Sequence, residues 1–281
     1  LYSFLRNYRV LLYKPMILRN IRHKILRRHN MSFKNKTIII TGGSRGIGRG
    51  ISQSFSELGA NIIICGRKAP KKSAKNIFFI ELDIRNNGAA EKLINFALDK
   101  TGKIDCLINN AGGGPPVESH KASPNLTEKI VSLNLLAPIN ISQAAYESLK
   151  ITNGSIINIS SVSATRSSPG SVAYGASKAG LINVTTSLAM EWAPSIRVNA
   201  IIAGLIKTEA SSDHYGGEKG MQYLADNLPM KRMGTPYDIA KACIFLADSN
   251  NSYISGACLE VFGGGEPPSF LKIAKEANKL K

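Results

Sequence analysis

Residues Thr37-Ile38-Ile39-Ile40-Thr41-Gly42-Gly43-Ser44-Arg45-Gly46-Ile47-Gly48 decide the fold. The first five are all β-branched, which stiffens χ1, and the apolar Ile run suits a strand buried on both faces. The chain then turns through glycines into a segment of helical period. Glycines at 42, 46 and 48 allow a tight turn, close approach of a pyrophosphate to the backbone, and packing of helix on strand. The first N–H groups of that helix lack partners within it and favour an anion.

Outward from this unit, apolar runs of strand length recur at Thr37–Thr41, Asn61–Cys65, Ile77–Leu82, Cys106–Asn109, Ser155–Ser160, Ile196–Ala200 and Cys258–Phe262. Helical patterns fill residues 46–59, 88–101, 125–150, 172–193, 217–227 and 236–248. This alternation predicts an α/β fold, a doubly wound Rossmann-type domain with seven parallel strands in one layer and helices on both faces, its site at the carboxyl ends of the strands. No repeat or Pro/Ser-rich linker divides residues 31–281, which are read as one domain holding both cofactor and substrate sites. The stretch from Arg67 to Ile77 is short, so the second crossover is expected to be a loop.

A chain of 281 residues with 43% hydrophobic and 20% charged residues can bury a substantial core, which excludes a disordered tail or a fibre. The net charge of +17 would suggest a nucleic-acid or membrane partner, but it is unevenly spread. Eight of the 36 basic residues and none of the 19 acidic ones lie in residues 1–30, leaving +9 for the rest. That segment reads as sequence upstream of a start at Met31, as a mitochondrial targeting segment, or as a basic arm. No apolar run has the length of a transmembrane helix, and a cytoplasmic location is expected, or a mitochondrial one if residues 1–30 are a transit peptide. Cys65, Cys106, Cys243 and Cys258 stand singly among apolar neighbours, as buried thiols do, and no metal site is expected.

Two further features carry chemistry. A carboxylate that reads the cofactor ribose is expected about 20 residues after the glycine loop, but Gly66 stands there with Arg67 next to it. Arg45 and Arg67 can bond a 2′-phosphate, so NADPH is expected, with NADH disfavoured. Tyr174 and Lys178, four apart in a helical pattern, share one face, and an ammonium beside a phenol is expected to pull its pKa from about 10 toward neutrality. Ser161, at the end of the preceding strand, adds a hydroxyl. Asn134 interrupts an apolar helical stripe, and Asn109-Asn110-Ala111-Gly112 closes the fourth strand.

Together these motifs resemble the short-chain dehydrogenase/reductase family, from Phe33 to about Gly265. The resemblance implies that Gly42, Ser44, Arg45, Ile47 and Gly48 hold the pyrophosphate. It places Asp83 and Ile84 at the adenine, and Asn110, Ala111 and Gly112 along the cofactor. It makes Asn134, Ser161, Tyr174 and Lys178 the catalytic tetrad, with Tyr174 and Lys178 also touching the cofactor, and gives Gly204, Ile206 and Thr208 to the carboxamide. Asn134 is expected to position a water that resupplies protons. Ala203 replaces a proline usual in the family. Residues 208–233 look like a mobile lid, where His214 reads as a surface histidine.

The glycine-proline runs Gly112–Pro116 and Gly263–Pro268 resemble branches acting on acyl-CoA or other lipid-like substrates, including 3-oxoacyl reductases and relatives of the peroxisomal enoyl-CoA reductase. The implied activity is NAD(P)H-dependent reduction of a carbonyl, that of a 3-oxoacyl or other lipid-like ketone, or its reversal on a secondary alcohol. Enoyl-CoA reduction and a catalytically silent nucleotide-binding scaffold are the alternatives. Small-molecule substrates, no nucleic acid, and a homotetramer or homodimer are implied as partners.

Overall fold

The structure, a computed structural model, describes residues 32–280, and the readings of residues 1–30 lie outside the described residues. The body is the compact unit Lys34–Lys281. Its seven strands are β1 (Thr37–Thr41), β2 (Asn61–Gly66), β3 (Ile77–Glu81), β4 (Cys106–Asn109), β5 (Ser155–Ser161), β6 (Arg197–Ala203) and β7 (Cys258–Val261). All neighbours are parallel, in the order β3-β2-β1-β4-β5-β6-β7. Strand order reverses direction between β1 and β4, so the loops leaving those two strands diverge and open a crevice.

The helices are α1 (Gly46–Glu57), α2 (Ala89–Thr101), α3 (Pro124–Val131), α4 (Ala137–Thr152), α5 (Val172–Glu191), the short α6 (Ser211–His214), α7 (Gly217–Asn227), α8 (Pro236–Ala247) and α9 (Ser269–Ala277). None of the described helices is long and apolar enough to cross a membrane. The central strands have the expected two-sided burial: Ile38, Ile39, Ile40, Ile62, Ile63 and Ile64 are at most 1% exposed. Helices α2 and α4 bring Leu93, Ile141 and Leu149 onto one face of this layer.

Local chemistry sets several boundaries. Ser123 caps α3 by accepting from Leu126 N–H, with Pro124 in the first turn. Thr235 and Asp238 form a reciprocal capping box at α8. Helix α2 ends at Gly102, whose positive φ of 74° closes the last turn.

The structure corrects the sequence reading in four places. Strand β6 continues to Ala203, past the expected end at Ala200. The outer strands β3 and β7 are only partly buried because each has a neighbour on one side alone. The helix expected over 125–150 is divided by a π-helical turn at Ser132–Leu136. Helix α9, where no helix was expected, exposes Phe270 and Ile273. The second crossover, residues 67–76, has no helix, as expected, and leaves a cleft lined by Ser52, Ile64, Lys72 and Ile77.

Candidate active site

The crevice is stitched together at its base by Thr41, the last residue of β1. Its hydroxyl accepts from the N–H groups of Asn110 and Ala111 at 3.0 and 2.9 Å, and Asn110 Nδ2 donates back to Thr41 O at 2.8 Å. The loop after β4 is thereby fixed against the glycine loop after β1. A Cβ on Gly48 would lie 2.3 Å from Gly42 O, a backbone atom with no freedom to give way, so only glycine lets α1 start this close to β1. Ser52 holds the turn from below, its Oγ within hydrogen-bonding distance of the carbonyls of Gly43 and Gly48 at 3.2 and 2.8 Å. The first intrahelical bond is Arg49 N–H to Arg45 O, so the N–H groups of Gly46, Ile47 and Gly48 point out of the helix into the crevice.

Gly112 lies on the other side of the crevice. A Cβ there would stand 2.7 Å from Asn134 Oδ1 and 3.0 Å from Lys178 Nζ, which brings the β4 loop, the π-helical turn and α5 to one point. Asn134 is fully buried in that turn. Its Oδ1 accepts from Gly113 N–H at 2.8 Å, and its Nδ2 donates to Gly113 O and Ile130 O at 2.9 and 2.8 Å. Both amide hydrogens are therefore used, and the residue shapes the Gly112–Gly113 backbone. The inserted residue of a π turn offsets such a side chain from the ordinary helical stripe.

Tyr174 and Lys178 share the inner face of α5, as their spacing predicts, with Lys178 Nζ 5.8 Å from the centre of the Tyr174 ring. Lys178 is 3% exposed, and its ammonium donates to Ile159 O on β5 at 2.8 Å. Burial away from water lowers its pKa from 10.5 to about 8. Ser161, the last residue of β5, hydrogen-bonds the Tyr174 hydroxyl, which lowers that group's pKa, but desolvation is larger and leaves Tyr174 raised. The expected drop of Tyr174 toward neutrality is therefore corrected. The ammonium is turned to a carbonyl, and burial penalises phenolate more than its neighbours stabilise it.

Beneath these residues runs a buried polar chain. Asn109 Nδ2 donates to Asn158 Oδ1 at 2.9 Å, and Asn158 Nδ2 donates to Thr185 Oγ1 at 2.9 Å, tying β4 and β5 to α5. Gly204 follows β6, and its N–H reaches Val261 O at 3.1 Å. Ile206 bridges to Gly234, and Thr208 N–H donates to Ser211 Oγ at 2.8 Å.

At the far end of the crevice, Asp83 does not stand free. Arg85 donates to it through its backbone N–H and its guanidinium, which holds the carboxyl down at about 2, with Arg67 adding a smaller electrostatic contribution. Ile84 is packed into the core. The oxygen of Ser44 lies 3.4 Å from where a Cβ on Gly66 would be, so the glycine loop and the end of β2 meet here.

The segment over the site has its own small core of Met221, Leu228 and Met233, with Leu205 and Tyr215 against it. Exposed His214 stacks edge-on with Tyr215, at 4.6 Å between ring centres. Tyr215, read in the sequence only as part of the lid, has an electrostatic influence that reaches Tyr174, and Arg85 and Glu209 were given no role there. Charged side chains in loops, such as Arg85 and Glu209, carry no periodic signal. Among the described residues no group of three His, Cys, Asp or Glu is placed to hold a metal ion.

A family profile described as Enoyl-(Acyl carrier protein) reductase matches residues 42–265. The 3-oxoacyl-(acyl-carrier-protein) reductase FabG of Chlamydia muridarum is 36% identical over 255 residues, covering 84% of this chain and 99% of the relative. A Bacillus subtilis protein named "Probable 2,4-dienoyl-CoA reductase" is 34% identical over 245 residues, with 82% and 96% covered. The solved structure of ElxO carrying a tyrosine-to-phenylalanine substitution, with NADPH bound, superposes with a TM-score of 0.76 at 29% identity, covering 82% of this chain and 98% of that one.

Proposed function

The chain belongs to the short-chain dehydrogenase/reductase family and is an NAD(P)-dependent oxidoreductase, and we propose that it uses NADPH to reduce the keto group of a 3-oxoacyl thioester or a similar lipid-like ketone. The observation that carries this reading is the cluster of Ser161, Tyr174 and Lys178 beside Gly112, with a phenol whose raised pKa keeps it protonated near neutral pH. A protonated phenol donates to an oxygen on which negative charge develops, the requirement of carbonyl reduction.

The residues fit a dinucleotide on structural grounds. Outward N–H groups open α1, and side chains at Gly42, Gly48 and Gly112 would collide with Ala111, with Gly42 O and with Asn134 and Lys178, so these glycines keep the walls of the crevice in place. Gly42, Ser44, Arg45, Ile47 and Gly48 would hold the pyrophosphate, Asn110, Ala111 and Gly112 the middle of the molecule, and Gly204, Ile206 and Thr208 its carboxamide. Arg67 beside Gly66 supports NADPH, since no carboxylate ends β2 to repel a 2′-phosphate. Asp83, engaged by Arg85, would meet the adenine as an ion pair. When bound, the nicotinamide supplies the hydride.

Within the chain, Ser161 and Tyr174 hydrogen-bond the substrate oxygen, and Tyr174 delivers the proton. Lys178 holds positive charge behind the ring through its bond to Ile159 O. Asn134 fixes the Gly112–Gly113 backbone. Exposed Ile151, Val172 and Met190 on α4 and α5 support association into a dimer or tetramer.

Enoyl reduction is the second reading, favoured by the name of the matching profile and by the B. subtilis relative. The test follows NADPH absorbance with matched 3-oxoacyl and enoyl thioesters for the wild type and Tyr174→Phe. We expect turnover of the 3-oxoacyl substrate, reduced about 100-fold or more by the substitution. Turnover of the enoyl substrate alone, or equal turnover by both proteins, refutes the reading.

A further inference from the structure

The opening turn of α1 holds an anion from its own chain. Glu209 lies between β6 and α6, and its Oε2 accepts from Gly46 N–H at 2.9 Å while its Oε1 pairs with the Arg49 guanidinium at 2.6 Å. A Cβ on Gly46 would stand 3.5 Å from the Thr208 methyl and 3.8 Å from Glu209 Oε2, so this segment rests directly on the turn. The two bonded groups are 163 residues apart, and no local preference brings them together. Its neighbour Ser211 is buried and tied to the N–H of Thr208, whereas the Glu209 side chain is 48% exposed and can swing away by rotating its own bonds.

The outward N–H groups and the dipole of a helix start stabilise negative charge, and here one of those groups and the adjacent guanidinium already serve a carboxylate. A diphosphate on the same turn would meet that carboxylate at a distance where like charges repel. We propose that Glu209 is an internal competitor for the cofactor pyrophosphate. It occupies Gly46 N–H and Arg49 in the ligand-free protein, must leave them for the dinucleotide to bind, and returns to them as the dinucleotide departs. Glu209 is thus a positioning residue that sets cofactor affinity and association rate. This rests on the dinucleotide reading above.

The test measures dissociation constants and release rates for NADPH and NADP+, by fluorescence, with wild-type protein, Glu209→Gln and Glu209→Ala. Thermal unfolding of each ligand-free protein confirms its fold. Loss of one competing charge-assisted contact at a half-exposed site should tighten binding about fivefold in both variants, mostly through faster association (the release rate divided by the dissociation constant), because the carboxylate occupies the turn in the ligand-free protein. The gain should shrink as salt screens the repulsion. If the wild type binds a dinucleotide and neither variant binds it more tightly, the competitor role alone is overturned. Weaker binding in both variants would show that Glu209 clamps the cofactor, which also overturns it. If no form binds NADPH or NADH, the dinucleotide reading fails, and this inference with it.

Discussion

Replacing Lys178 by methionine should change how stability depends on pH, by an amount that follows from the burial of the ammonium. In the folded chain the group titrates at about 8, and its ordinary value is 10.5. Between these values the unfolded chain binds more protons than the folded one, so stability rises with pH. The full cost of the buried charge, about 3 kcal/mol, is present below pH 8 and gone above 10.5. From pH 7 to pH 9.5 the wild type should recover about 2 kcal/mol of it, or about 4 °C in Tm for a domain of this size.

Methionine keeps the length of the side chain and removes the titration, although it leaves Ile159 O without its donor, at a cost of about 1–3 kcal/mol that does not vary with pH. Urea unfolding of the ligand-free proteins at pH 7.0, 8.0, 9.0 and 9.5 isolates Lys178 in the difference between wild type and variant, because other groups titrate alike in both. A difference constant to within about 0.5 kcal/mol over this range would refute the argument, since it would mean that the buried ammonium titrates like an exposed one.

Gly48→Ala should abolish tight dinucleotide binding and cost about 1–3 kcal/mol of stability, because the new methyl meets Gly42 O at 2.3 Å; calorimetry with NADPH and a denaturation curve check both. Asn134→Ala should destabilise by about 3 kcal/mol through the groups of Gly113 and Ile130 left unpaired, and should lower kcat more than it weakens NADPH binding. Because the Tyr174 pKa is raised, ketone reduction by the enzyme should stay level from pH 6 to 8 where the phenol is protonated, whereas alcohol oxidation should rise with pH toward and beyond 10, which initial rates in the two directions will show.

Much of this fold is legible because its signals are local. Three consecutive isoleucines at 38–40 and again at 62–64 have one economical fate, a strand covered on both sides, and the glycines at 42, 46 and 48 leave little choice about the turn that follows. The absence of a helix over 67–76 follows from a segment too short to hold one beside its two turns. Helix α9 was missed because an isolated amphipathic stretch after Gly-Pro punctuation carries no cue from the sheet.

The tetrad is implied by the family resemblance, and only its Tyr174–Lys178 pair is read from spacing; α5 does put those two on one face. The sequence by itself determined the parallel sheet and a site at the carboxyl ends of its strands, because these depend on periodicity, chirality and glycine, whereas the strand order that opens the crevice between β1 and β4 is a property of the tertiary structure. The direction of the Tyr174 pKa, the saturation of Asn134 by Gly113, the Asp83–Arg85 pair and the seat of Glu209 on α1 were decided only in the tertiary structure. Those properties depend on how far a group is withdrawn from water and on which partner completes its hydrogen bonds, 21 residues away for Asn134 and 163 for Glu209.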